Sequence, residues 1–150
     1  MSLDSTLLGA LIGVVAVIVG SIVTATATYF ISKGIERKRL ITEKREELFY
    51  INQNLYVIIK KLDDLLAINS NAPTTYARNS ESKKDELIDK IELLTQLYFK
   101  ELTHHYESAF ESINETFRSV IKTHNPNIGH SKDSVERLER IKDKILTGKK

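Results

Sequence analysis

The chain has 150 residues, with 22 Lys and Arg against 20 Asp and Glu and no cysteine. A formal net charge of +2 is too nearly balanced to point to nucleic-acid binding, and the lack of thiols excludes disulfides and a cysteine nucleophile. Charge is unevenly placed, however, because every Lys and Arg follows residue 31.

Residues 1–6 form a short N-terminal segment whose only charged side chain is Asp4. Leu7 to Ile31 then runs LLGALIGVVAVIVGSIVTATATYFI, without one Asp, Glu, Lys, Arg, His, Asn or Gln. As a helix it would be about 37 Å long, enough to cross a hydrocarbon core of about 30 Å with some tilt. The segment reads as a transmembrane helix. Ala25-Thr26-Ala27 has the small-residue pattern of a signal-peptide cleavage site. The preceding MSLDST carries no Lys or Arg, and the apolar run exceeds a typical signal core, so an uncleaved anchor is expected.

Small residues recur along this segment. Gly9 and Gly13 form a GxxxG pair, and Gly13, Gly20 and Ala27 follow at intervals of seven, with Ala16 and Thr24 beside them. Such a strip lets two helix backbones approach closely, so these six positions are the expected surface for self-association. Directly after the segment come Lys33, Arg37, Lys38 and Arg39, then Lys44 and Arg45. Lys and Arg are retained on the cytoplasmic side, which predicts a single-pass inner-membrane protein with its N-terminus outside and its C-terminus inside. Lys33, Arg37, Lys38 and Arg39 are the expected lipid headgroup contacts, with Tyr29 and Phe30 at the interface.

Residues 32–146 read as one all-α cytoplasmic domain. The spacing predicts a first helix over about 33–69, continuous with the span unless Gly34 interrupts it. Ile41, Leu48, Leu55 and Leu62 alternate with Ile51, Ile58 and Leu65 in a coiled-coil-like seam. Phe49, Tyr56, Ile59 and Leu66 widen it to the breadth of a bundle helix.

SNAPTTYARNS, residues 70–80, reads as a loop around Pro73, and Ser82 with Asp85 resembles a helix start. A second helix is predicted over 82–123. Leu87, Ile91, Leu94, Tyr98, Leu102, Tyr106, Ala109, Ile113, Phe117 and Val120 recur at threes and fours on one face, with a bend admissible near Thr103 to His105. His124 to Gly129 reads as a turn. A short third helix follows over 133–146, with Val135, Leu138, Ile141 and Ile145 inward, and residues 147–150 form a frayed tail. The expected architecture is a single N-terminal transmembrane helix followed by an antiparallel bundle of two long helices and one short one.

Catalytic chemistry lacks a starting point in the sequence. Glu101-Leu102-Thr103-His104 matches one half of a carboxylate di-metal site, but a second ExxH is missing. GxSxG and phosphate-binding glycine loops are absent, and Asp63-Asp64 reads as a solvated helix face. No catalytic, metal or cofactor residue is therefore assigned. Asn114-Glu115-Thr116 has the form of a glycosylation acceptor but falls in a predicted cytoplasmic helix.

The expected function is that of a non-enzymatic, membrane-anchored interaction, scaffold or sensor module that self-associates at the inner membrane face. Its expected partners are the lipid bilayer, further copies of itself and an unidentified protein, for which Tyr50, Tyr76 and Phe99 offer contact residues. The alternative is a small single-span membrane-perturbing or pore-forming effector of the lysis or phage-defence type, triggered through its cytoplasmic bundle.

Overall fold

The computed structural model describes residues 5–68, 72–123 and 128–148. Among these every regular element is a helix: α1 spans Ser5–Leu66, α2 Ala72–Tyr98, α3 Lys100–Thr123 and α4 Ile128–Thr147. The chain divides into two units, Met1–Thr42 and Glu43–Lys150. Parts of the expected N-terminal segment (1–4), of the two connections (69–71 and 124–127) and of the tail (149–150) lie outside the described residues.

In the first unit, α1 is one uninterrupted helix of apolar residues followed by charged ones. No proline interrupts it, and Gly34 sits within the helix without breaking it. Ser21, Thr24, Thr26 and Thr28 each donate a hydroxyl to the carbonyl four residues back, at 2.7 to 2.8 Å. These bonds satisfy the four hydroxyls within the helix itself.

The second unit is a helical bundle built from the C-terminal part of α1 with α2, α3 and α4. Leu48, Leu55, Ile59 and Leu62 of α1, Ile91 of α2, Tyr106, Ile113 and Phe117 of α3, and Leu138 of α4 are almost completely buried. Each aliphatic side chain removed from water contributes about 1.5 to 3 kcal/mol before entropy is subtracted.

The predicted helix over 82–123 is corrected in two ways. It starts ten residues earlier, at Ala72, because Pro73 lies in the first turn, where a missing N–H breaks no intrahelical bond. Thr75 to Ser80 is therefore helical and not loop, and Ser82 and Asp85 are interior residues of α2. The second correction is larger: the helix ends at Tyr98, and the chain turns back at Phe99 into α3. Lys84 Nζ reaches Asn114 Oδ1 at 2.6 Å, and Thr74 Oγ1 donates to the Val120 carbonyl at 3.3 Å. A straight helix would hold Lys84 and Asn114 about 45 Å apart.

The physical reason for the reversal is burial. The α1 part of this unit, Glu43 to Leu66, is about 36 Å long, too short to cover an unbroken 42-residue apolar face of about 63 Å. Folding back lets the face of α2 cover that of α3. Phe99 itself is buried, with its N–H donating to the Thr95 carbonyl at 3.0 Å and its own carbonyl accepting from Leu102 N–H at 2.8 Å. The turn therefore leaves these backbone groups satisfied without Gly or Pro, and it falls before the Thr103 to His105 region named from sequence.

α4 also begins earlier than predicted, at Ile128, so Ile128 and Gly129 are helical and not part of a turn. It runs antiparallel to α3: Ser112 meets Ser134, Ser108 meets Arg137 and His105 meets Lys144. The unit thus has four helical segments where three were expected.

Candidate functional site

The feature that most constrains function lies in the first unit. From Leu11 to Ile31 each large apolar side chain is more than half exposed, as are Tyr29 and Phe30, and none of the most apolar stretch is buried by the chain's own residues. Soluble domains rarely display contiguous apolar surface of this extent, because water ordered along it disfavours the arrangement. The helix is long and apolar enough to cross a membrane.

Gly9, Gly13, Ala16, Gly20, Thr24 and Ala27 are all exposed on this helix. A Cβ added at Gly9, Gly13 or Gly20 would meet nothing within 4 Å. Thr24 already donates its hydroxyl to the Gly20 carbonyl, so at this strip backbone approach and not a free hydroxyl is what a neighbouring helix would find. Lys33, Arg37, Lys38 and Arg39 are exposed, and among the described residues none of the four makes an ion pair within 4 Å. The Lys33 ammonium lies 5.7 Å from the centre of the Tyr29 ring.

In the second unit Leu48, Ile51, Leu55, Ile58 and Leu62 of the expected seam are buried, while Ile41, in the first unit, and Leu65 are half-buried. Sequence reasoning missed the polar groups among them. Asn52, 1% exposed, accepts from the Tyr106 hydroxyl at 3.0 Å and donates to the Leu138 carbonyl at 3.4 Å, linking α1, α3 and α4. Burial drives the Tyr106 phenol far above its ordinary pKa, so it stays a hydrogen-bond donor. The available signal was Asn52 itself, a polar residue in the column it shares with Ile59 and Leu66.

A second polar group joins α3 to α4. Ser112 and Ser134 share a 2.9 Å hydroxyl contact, and Arg137 Nε donates to Asp133 at 2.6 Å while its Nη1 donates to Ser108 at 3.1 Å. The Arg137 hydrogen bond holds the Asp133 carboxyl below its ordinary pKa. Asp63 accepts from the buried Ser131 hydroxyl, so the expected solvated face belongs to Asp64 alone. Lys84 is also buried, with its ammonium on Asn114 and Asp85 and 5.0 Å from the Phe117 ring centre. These polar side chains have partners in neighbouring helices, which suits a role in register.

Of the three aromatic residues named as contacts, Phe99 is core, Tyr76 is half-buried under the Lys61 ammonium, and only Tyr50 is exposed. The Glu101 and His104 side chains are both exposed, and His104 faces Glu107 at 3.7 Å. No group of three His, Cys, Asp or Glu with metal-binding geometry occurs among the described residues. Comparison with known proteins gave no match: neither a family model, nor a curated protein, nor a solved structure.

Proposed function

We propose that the chain is a membrane-anchored, non-enzymatic helical module that self-associates at the inner membrane face. One observation carries this reading: an apolar helix with its side chains uncovered stands on the same chain as a polar helical unit that buries its own core. Lipid covers such a helix without requiring a further protein. The run of cations from Lys33 to Arg39 supports retention of the second unit in the cytoplasm.

Anchoring confines copies to two dimensions and raises their effective concentration, so weak contacts along Gly9, Gly13, Ala16, Gly20, Thr24 and Ala27 suffice for assembly. The helical unit, antiparallel in its pairing and free of recognisable catalytic motifs, serves as the interacting body.

Expression of the full chain with alkaline carbonate extraction and crosslinking in the membrane tests the proposal. Retention in the pellet together with crosslinked oligomers is expected. Release into the supernatant contradicts anchoring, and a collapse of membrane potential on expression would place the chain with the pore-forming effectors instead.

A further inference from the structure

The charges that follow the apolar stretch are segregated around the helix. With successive residues turned by about 100°, Lys33, Arg37, Phe30, Gly34 and Lys38 occupy one arc of about 140°. Glu36 and Arg39 fall outside that arc. A shallow open concavity on this side is lined by Phe30, Lys33, Gly34, Glu36, Arg37 and Leu40, and Lys38 flanks it on the arc beyond Gly34. Gly34 leaves open space, since a Cβ there would meet nothing within 4 Å. Lys33, Arg37 and Lys38 are exposed, and among the described residues none makes an ion pair.

We propose that Lys33, Arg37 and Lys38, around the notch at Gly34, form a binding face for an anionic phospholipid headgroup. The inference rests on the membrane-anchored reading and names the lipid class that the anchor selects. Lys33 and Arg37 in the concavity, with Lys38 beside it, outnumber the one carboxylate there, Glu36, and complement a phosphodiester with an uncharged or acidic headgroup. They do not complement a zwitterionic headgroup, whose ammonium they repel. Arg37 can hold two phosphate oxygens at once, while Lys33 and Lys38 act as point charges. Phe30 supplies the apolar edge along which the first acyl carbons lie.

Depth agrees with this assignment. Counting from Ile31, the last residue of the apolar stretch, Lys33 lies about 3 Å and Lys38 about 10 Å further along the helix axis. The headgroup layer is about 5 to 8 Å thick on each side of the hydrocarbon, so the three cations bracket the phosphate level. Arg39 lies one residue beyond Lys38, about 12 Å along the axis, at the azimuth opposite the centre of the arc and about 40° from Glu43. That difference separates a binding face from a general attraction by positive charge.

The test uses the full chain reconstituted in phosphatidylcholine vesicles and probed with spin-labelled phosphatidylglycerol or spin-labelled phosphatidylcholine. A cation near the surface favours an anionic lipid about fivefold. The motionally restricted fraction should therefore favour phosphatidylglycerol by at least about fivefold. The combined variant Lys33→Gln, Arg37→Gln, Lys38→Gln should lose this preference, and Arg39→Gln should keep it. An unselective wild-type chain, a selective triple variant, or an Arg39→Gln variant as unselective as the triple one would overturn the proposal. A carbonate wash of the same vesicles distinguishes the two levels. Release of the chain refutes the anchor, whereas retention without lipid preference refutes the headgroup face alone.

Discussion

Replacing Tyr106 with Phe leaves the ring of a buried α3 residue in place and removes one hydroxyl. Asn52 Oδ1 then loses the donor that lies 3.0 Å away, while Asn52 itself remains 1% exposed and inaccessible to water. An acceptor left unpaired in such surroundings costs about 1 to 3 kcal/mol, so Tyr106→Phe should lower the unfolding free energy by about 2 kcal/mol. Asn52→Leu should cost a similar amount, because it strands the Tyr106 hydroxyl, whereas the Leu138 carbonyl keeps its partner within α4. Combining both substitutions removes donor and acceptor at once. The double variant should therefore be more stable than the sum of the single effects implies, by at least about 1 kcal/mol. Urea unfolding of the full chain in detergent micelles, followed by far-ultraviolet circular dichroism, measures all four corners of the cycle. Strictly additive losses, or a Tyr106→Phe variant within about 0.5 kcal/mol of wild type, would refute the bridge between α1, α3 and α4.

Three further outcomes are expected. Phe99→Ala opens a cavity at the reversal between α2 and α3 and should destabilise the chain by about 3 to 5 kcal/mol in the same assay; a loss below about 1 kcal/mol would show that the turn does not depend on this side chain. His105 titrates below the ordinary imidazole value of 6.5, first through burial and then through the Lys144 ammonium, whose Nζ lies 2.7 Å from its Nε2, and His104. The unfolded chain therefore binds this proton more readily. The contribution of the neutral ring is complete above pH 6.5 and is lost as pH falls from there through the depressed value, so His105→Gln should flatten the stability profile between the depressed value and pH 6.5. An unchanged slope in the variant would count against the contact. Gly13→Ile with Gly20→Ile should reduce crosslinking between copies in the membrane, and undiminished crosslinking would show that the second unit alone drives association.

Much of the local structure was legible from residue spacing. The uncharged stretch from Leu7 to Ile31 and the threes and fours of the later segments follow from the geometry of a single helix, which needs no knowledge of its neighbours. The reversal at Phe99 was not legible for the same reason. Leu94, Tyr98 and Leu102 keep helical spacing across the turn, and neither Gly nor Pro marks it. Only the competition between one long exposed face and two shorter covered ones decides for the hairpin, and that is a tertiary effect. Pro73 was read as a breaker although it equally suits a first turn. At the candidate site, the cations were visible one by one. That Lys33 and Arg37 share a concavity with Phe30, Gly34 and Glu36, while Arg39 falls on the far side of the helix, emerges when they are placed around a continuous α1. The partnership of Asn52 with Tyr106 joins residues 54 positions apart, beyond the reach of local pattern.

The central claim is that α1 crosses the membrane with the helical unit on the cytoplasmic side. Because the chain has no cysteine, single thiols can be introduced without background. Ser2→Cys and Leu146→Cys variants, treated in intact cells with a membrane-impermeant maleimide, test the claim most directly, since Leu146 is 62% exposed. The account requires labelling at position 2 in intact cells and at position 146 only after permeabilisation. Labelling of position 146 from outside intact cells would contradict it.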